Sequence, residues 1–235
     1  MAEEINEPDR VPGAPHPRET PSLIGQEAAE AEFLDGFNTG RMHHAWMLTG
    51  PRGVGKATLA WSIARFLLAT PDPDGGDMFG PPVLPTSLHI DPEHPVARRI
   101  SAGADPGLIS VTRTPNEKTG RMRDQIVVDD IRKLTGFFQM SATDGGRRVV
   151  IIDAADDMNT QAANALLKML EEPPERCTLL LITHQPSGLL PTIRSRCRTL
   201  RLGTLNGEQM NSAMVQAKVE ADANAAALAE LAGGS

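Results

Sequence analysis

The segment Met47-Leu-Thr-Gly-Pro-Arg-Gly-Val-Gly-Lys-Ala-Thr58 constrains the fold of this chain more than any other stretch. Ala45-Trp-Met-Leu48 ahead of it is a short apolar run that reads as a buried strand. Leu59, Ile63, Phe66 and Leu67 behind it recur at helical spacing. Between them, Gly50, Gly53, Gly55 and Lys56 fit the spacing Gly-x-x-x-x-Gly-Lys-[Ser/Thr]. Such a loop turns its N–H groups toward phosphate oxygens, and the helix behind it adds the positive end of its dipole. Lys56 would neutralise the β- and γ-phosphates of ATP, with Val54 in the cradle between the glycines. The last place of the pattern asks for a hydroxyl to hold Mg²⁺, and this chain has Ala57. Thr58 lies in the same stretch, but one step along a helix turns a side chain by roughly 100°, so its hydroxyl should point elsewhere. The expected ligand is ATP or ADP held weakly, at a site where Mg²⁺ lacks a ligand.

A second apolar run, Val149-Val-Ile-Ile-Asp153, is a strand with both faces apolar, as inside a parallel sheet. Asp153 would stand at its carboxyl end and hold Mg²⁺, with a turn-capping role as the simpler alternative. An ATPase of the Asp-Glu type would next supply a water-activating glutamate. This chain has Ala154, and Asp156 two residues on should face another way. Thr183 ends a third buried strand, Thr178–Thr183, where it would touch a γ-phosphate or serve the fold alone. Two groups needed for hydrolysis are replaced by alanine, so the expectation is binding without turnover.

The other elements alternate in kind. Helical periodicity covers about 26–37, 126–140 and 159–170, the last ending at Glu171-Glu-Pro-Pro174. In the second of these, Val127, Ile131, Leu134 and Phe138 should share a face. Strands are expected at 108–112 and 198–202, with an irregular insertion over 70–107 and a loop over 113–125. This predicts an α/β fold, a five-stranded parallel sheet of the P-loop NTPase (AAA+) type with helices on both faces and a small helical lid after it. The expected division is an acidic, proline-rich flexible arm over 1–21, a core over 22–203 and a partial lid over 204–235.

Charge narrows the partners. Residues 1–35 carry nine acids and two arginines, and the other 200 are neutral overall, with 21 of each sign. No part is basic enough to grip nucleic acid alone. The acidic start is unlike a signal peptide, and no apolar run reaches membrane-span length, so a cytoplasmic protein without membrane contact is expected. Cys177 and Cys197 have no metal-ligand spacing, and no cysteine lies in 70–107, so no zinc is expected.

Pro191-Thr-Ile-Arg-Ser-Arg-Cys-Arg198 follows a short apolar helical pattern. Arg196 there either projects toward a neighbouring subunit's nucleotide or sits in a surface ion pair.

These motifs together resemble the bacterial DNA polymerase III clamp-loader subunits of the AAA+ superfamily. Asn164-Ala-Leu-Leu-Lys-Met-Leu-Glu-Glu-Pro-Pro174 is similar to that family's N-A-L-L-K-x-L-E-E-P-P signature, and Ser195-Arg196-Cys197 to its S-R-C motif. His43-His44-Ala45 and His94-Pro95 also resemble it, over about residues 20–203. The resemblance implies that Arg196 is an arginine finger acting in trans. The gamma/tau branch carries an intact Lys-Thr loop, an Asp-Glu pair and a four-cysteine zinc module, all missing here. The departures therefore resemble the delta-prime branch, which keeps the arginine while its own ATP site degenerates. Implied partners are gamma/tau and delta subunits and, through the complex, the sliding clamp and primer-template DNA. It implies no activity alone, only membership of a DNA-directed DNA polymerase assembly. The rivals are an active gamma/tau-type or other DNA-handling ATPase and a small-molecule P-loop kinase, the latter disfavoured by a 205–235 segment whose one base is Lys218. The family continues into a helical collar domain, so a fragment ending inside the lid is expected.

Overall fold

The computed structural model describes residues 8–10, 14–20, 22–71, 84–139 and 146–216. Five strands form one parallel sheet: β1 (Ala45–Thr49), β2 (Leu108–Val111), β3 (Arg148–Asp153), β4 (Cys177–Thr183) and β5 (Arg198–Arg201). Their spatial order is β2-β3-β4-β1-β5, and every neighbouring pair runs parallel. Every residue of β1 and β4 is buried, which is why those strands carry near-continuous apolar runs.

Side chains alternate across a strand, so each apolar run serves two cores. Trp46, Leu48, Leu180 and Ile182 face a cluster with Phe33, Phe37, Ile63 and Phe66. Those aromatic and aliphatic groups come from α1 (Glu27–Asn38) and α2 (Lys56–Ala69), with α3 (Pro95–Ser101) adding Ile100. Met47, Leu179 and Leu181 face the opposite cluster. There α4 (Val128–Gln139) contributes Ile131 and Leu134, α5 (Thr160–Glu171) contributes Leu166, and α6 (Pro191–Arg194) contributes Ile193. The three-layer architecture expected from the sequence is the one observed.

Several details differ from expectation. α3 lies within the stretch expected to be irregular. His94 caps it by accepting a hydrogen bond from the Val96 N–H on Nδ1, Pro95 occupies its first turn, and Val96, Ala97 and Ile100 bury one face. Residues 72–83 of that stretch lie outside the described residues. The expected loop after β2 contains a short antiparallel bridge, Pro115 to Met122. On α4 the buried apolar positions are Ile131, Leu134 and Phe137, with Phe138 only partly covered.

The acidic arm is a larger departure. Residues 14–20 are not loose but packed on α2. His16 is 1% exposed and meets the Trp61 ring edge-on at 5.6 Å. Its Nε2 lies 3.1 Å from Asp9, and its Nδ1 accepts from the Arg18 N–H. The buried Arg65 guanidinium donates to the Arg18 and Thr20 carbonyls at 2.8 and 2.9 Å. A buried guanidinium needs acceptors, and the arm's backbone supplies them. Residues 1–7, 11–13 and 21 of the arm lie outside the description.

Of the expected lid, α7 (Gly207–Gln216) is described, and residues 217–235 are not. Among the described residues no helix is long and apolar enough to cross a membrane.

Candidate phosphate-binding site

Parallel strands release their chains at one edge, so β1, β3 and β4 place their carboxyl ends together. In register, Thr49 of β1 lies opposite Thr183 of β4, and Asp153 of β3 opposite Ile182. The glycine loop leaves β1 at that edge and feeds α2.

Two of its glycines are required by geometry. Gly50 has φ +149°, and a Cβ there would lie 2.5 Å from the Leu202 carbonyl oxygen. Gly55 has φ +97°, and a Cβ would meet Leu23 at 2.8 Å. Lys56 opens α2 with its side chain buried, and its ammonium donates to the Gly50 and Pro51 carbonyls. Burial pulls its pKa down, opposed by the charges of Asp153 and Asp156.

A cavity of about 530 Å³ opens over this loop. The loop residues Gly53 to Thr58 line it, with Asp153 and His184 from the strand ends. The arm forms another wall through Asp9 and Pro17, and α7 closes a side through Gln216. That volume suits a small organic ligand such as a nucleotide. Thr58, expected among the nucleotide-binding residues, lines the wall. It still follows Ala57 by one step of the helix, so its hydroxyl does not replace the missing one.

Asp153 is half-buried at this edge and lines the cavity. Burial, then the nearby Asp9 charge, push its carboxyl up to about 7, although Lys56 opposes the change. The folded chain therefore keeps this proton up to about pH 7, while an unfolded chain releases it near 3.8. Between those values the native state binds more protons, so stability falls as pH rises. Asp153→Asn should raise the melting temperature, with a gain about 2 kcal/mol larger at pH 8 than at pH 5. Equal gains at both values in thermal melts would contradict a reluctantly ionised Asp153.

The neighbouring acids have other work. Both Asp156 oxygens accept from the backbone, one from the His184 N–H at 3.1 Å and one from the Gln185 N–H at 3.1 Å. Asp157 pairs with Arg113 at 3.3 Å. Ala154 is buried, a methyl where the Asp-Glu pattern has its glutamate. Thr183 is fully buried at the end of β4, and its Oγ1 has no hydrogen-bond partner.

The residues present fit a nucleotide's phosphates. They do not fit Mg²⁺. The metal-binding hydroxyl is absent, Asp156 and Asp157 are engaged, and Asp153 is the one carboxylate left beside the loop. Among the described residues, no three His, Cys, Asp or Glu side chains converge as a metal site.

Three contributors carried no local signal in the sequence. Gln26, 5% exposed, donates to the Val54 and Gly203 carbonyls and accepts from the Gly203 N–H, tying the loop to the start of the lid. His184 and Asp9, the latter paired with His16, line the cavity from distant parts of the chain. Their motif-free surroundings gave nothing to detect.

Arg196 lies away from this cavity, just beyond α6. Its guanidinium donates to the Thr192 carbonyl at 3.0 Å and pairs with Glu171 at 2.9 Å. The two motifs Leu170-Glu-Glu-Pro-Pro174 and Ser195-Arg196-Cys197 thus touch through that pair.

Residues 25–206 match the family described as DNA polymerase III, delta subunit. The chain is similar to DNA polymerase III subunit delta' of Pseudomonas aeruginosa, at 41% identity over 154 residues, covering 66% of this chain and 41% of that protein. It is similar also to DNA polymerase III subunit tau of Escherichia coli, at 31% over 194 residues, covering 83% of this chain and 27% of that one. It therefore spans less than half the length of either curated relative. A DNA polymerase III gamma subunit-related protein of Thermotoga maritima has the same fold, with a TM-score of 0.52 at 20% identity over 81% of this chain and 49% of that one. A variant of Thermotoga maritima RuvB matches with a TM-score of 0.51 at 18% identity, over 96% of this chain and 62% of that one.

Proposed function

The chain belongs to the DNA polymerase III delta subunit family, and on that footing we propose that it is a delta-prime-like clamp-loader subunit that does not hydrolyse ATP itself. It would join gamma/tau and delta subunits in loading the sliding clamp onto primed DNA. Its part would be to present Arg196 to a neighbour's nucleotide.

The observation that carries this reading is the fate of the acids around the cavity. A methyl stands at 57 and another at 154, and Asp156, the nearest replacement base, is bound to two backbone N–H groups. Phosphoryl transfer depends on metal placement and water positioning, and only Asp153 is left for the first of these. The P-loop shape itself persists, which supports nucleotide binding separated from turnover. The 41% identity to a delta' subunit supports the same branch.

A second reading is an active gamma/tau-type ATPase. It is favoured by the longer match to tau, 194 residues against 154. One assay decides between them. Purified chain with Mg²⁺ and primed DNA should release no phosphate above background. Turnover near 1 s⁻¹, the low end for phosphoryl-transfer enzymes of the kinase type, would establish the ATPase instead. Co-purification with gamma/tau and delta tests the partners independently.

A further inference from the structure

Two cationic side chains and an imidazole, from two parts of the fold, line the cavity over the glycine loop. Arg52 and Lys56 come from the loop and the first turn of α2, and His184 from the exit of β4. The backbone of His184 is fixed by its N–H bond to Asp156, and its ring Nδ1 is buried without a partner. Lys56 currently spends its ammonium on two neutral carbonyls of its own loop. An incoming phosphate oxygen would exchange those for charge-assisted bonds.

In a metal-dependent P-loop, Mg²⁺ bridges the β- and γ-phosphates and offsets their charge. This chain lacks the hydroxyl at position 57, Asp156 and Asp157 are engaged elsewhere, and Asp153 is the single carboxylate left to seat it. We propose that the cavity binds the phosphates of ADP or ATP directly on Arg52, Lys56 and His184, with no divalent cation. This rests on the reading of residues 50–58 as a nucleotide-binding loop. Asp9 and Asp153 also line the space. Asp9 lies 3.1 Å from His16 Nε2, so one of its oxygens is already engaged. Arg52 is exposed at the mouth and free to swing onto a terminal phosphate.

The test is calorimetric titration of the purified chain with ADP, once in excess EDTA and once in excess Mg²⁺. The dissociation constants should agree within about threefold, less than the tenfold that 1.4 kcal/mol represents. His184→Gln and Arg52→Ala should each weaken binding in EDTA by roughly tenfold to a hundredfold, as expected for losing a hydrogen bond to a charged group. Ala57→Thr should make Mg²⁺ tighten binding where it did not before. Affinity that falls tenfold or more in EDTA overturns the proposal, as does the absence of ADP binding at millimolar concentration. Unchanged affinity in His184→Gln removes that residue from the cradle. These outcomes are separable from the function above. Strict metal dependence without turnover leaves the loader reading standing, and metal-free binding beside rapid turnover sinks the loader reading alone.

Discussion

Arg196→Ala is expected to lower clamp loading by a reconstituted loader at least tenfold, while the isolated chain keeps its melting temperature within a few degrees. A guanidinium supplied across an interface is worth roughly 10³–10⁵ in rate at the site it serves in well-studied systems. Other sites of the assembly keep their own fingers, so total ATPase should fall only partly and loading should fall more. Arg196 is now paired with Glu171 at 2.9 Å. Such a surface pair is worth about 0–1 kcal/mol, so releasing the arginine toward a neighbour costs little. The fold does not depend on it, because its side chain is about one-third exposed and surface substitutions change stability by about ±0.5 kcal/mol. Arg196→Lys should fail to rescue, since an ammonium lacks the planar fork that spans two oxygens. Glu171→Gln separates the two roles of the arginine. It removes the ion pair but keeps the finger, so loading should survive it. Equal loss in Glu171→Gln and Arg196→Ala would mean that the pair, not the finger, is what loading needs.

Lys56→Met is expected to eliminate measurable ADP binding in the same calorimetric experiment, a loss of a hundredfold or more. The substitution keeps an apolar stem in a buried position and removes the charge. Truncating one partner of a buried charge pair typically costs 2–5 kcal/mol, and tenfold in affinity is about 1.4 kcal/mol. The stability should not follow the affinity down. Burial already depresses the Lys56 pKa, so removing the ammonium relieves a desolvation cost while losing bonds to the Gly50 and Pro51 carbonyls. Those effects oppose each other, and the melting temperature should move by only a few degrees. Retained ADP affinity in Lys56→Met would mean that the loop no longer serves as a phosphate cradle. A collapse of the melting temperature would instead mark Lys56 as a strut of the loop.

Local order was legible in the chain because it is set by near neighbours. Gly50, Gly53, Gly55 and Lys56 announce a strand, a tight loop and a helix through spacing alone, and the paired prolines after α5 announce its end. Apolar runs such as Val149–Ile152 reveal burial on both faces and hence a parallel sheet. α3 was missed because seven residues are too few to show a helical period, and its start rests on the His94 cap. The arm was misjudged because acidity and prolines describe its composition, while its anchors are Arg65 and Trp61 on α2.

The sequence by itself determined which backbone conformations were open to residues 50–58 and which side chains had to leave water. It also determined that positions 57 and 154 carry methyl groups. Only the tertiary structure decided what the remaining polar groups do. Asp156 is one residue from Asp157, yet one carboxylate fixes the exit of β4 and the other pairs with Arg113. Asp9 approaches Asp153 from far along the chain, and Gln26 binds both Val54 and Gly203. Hydrogen bonds and charge effects act over a few ångströms in space, whatever the separation in sequence. Their partners are therefore settled by the order of the strands and the packing of helices on them, which no local pattern records.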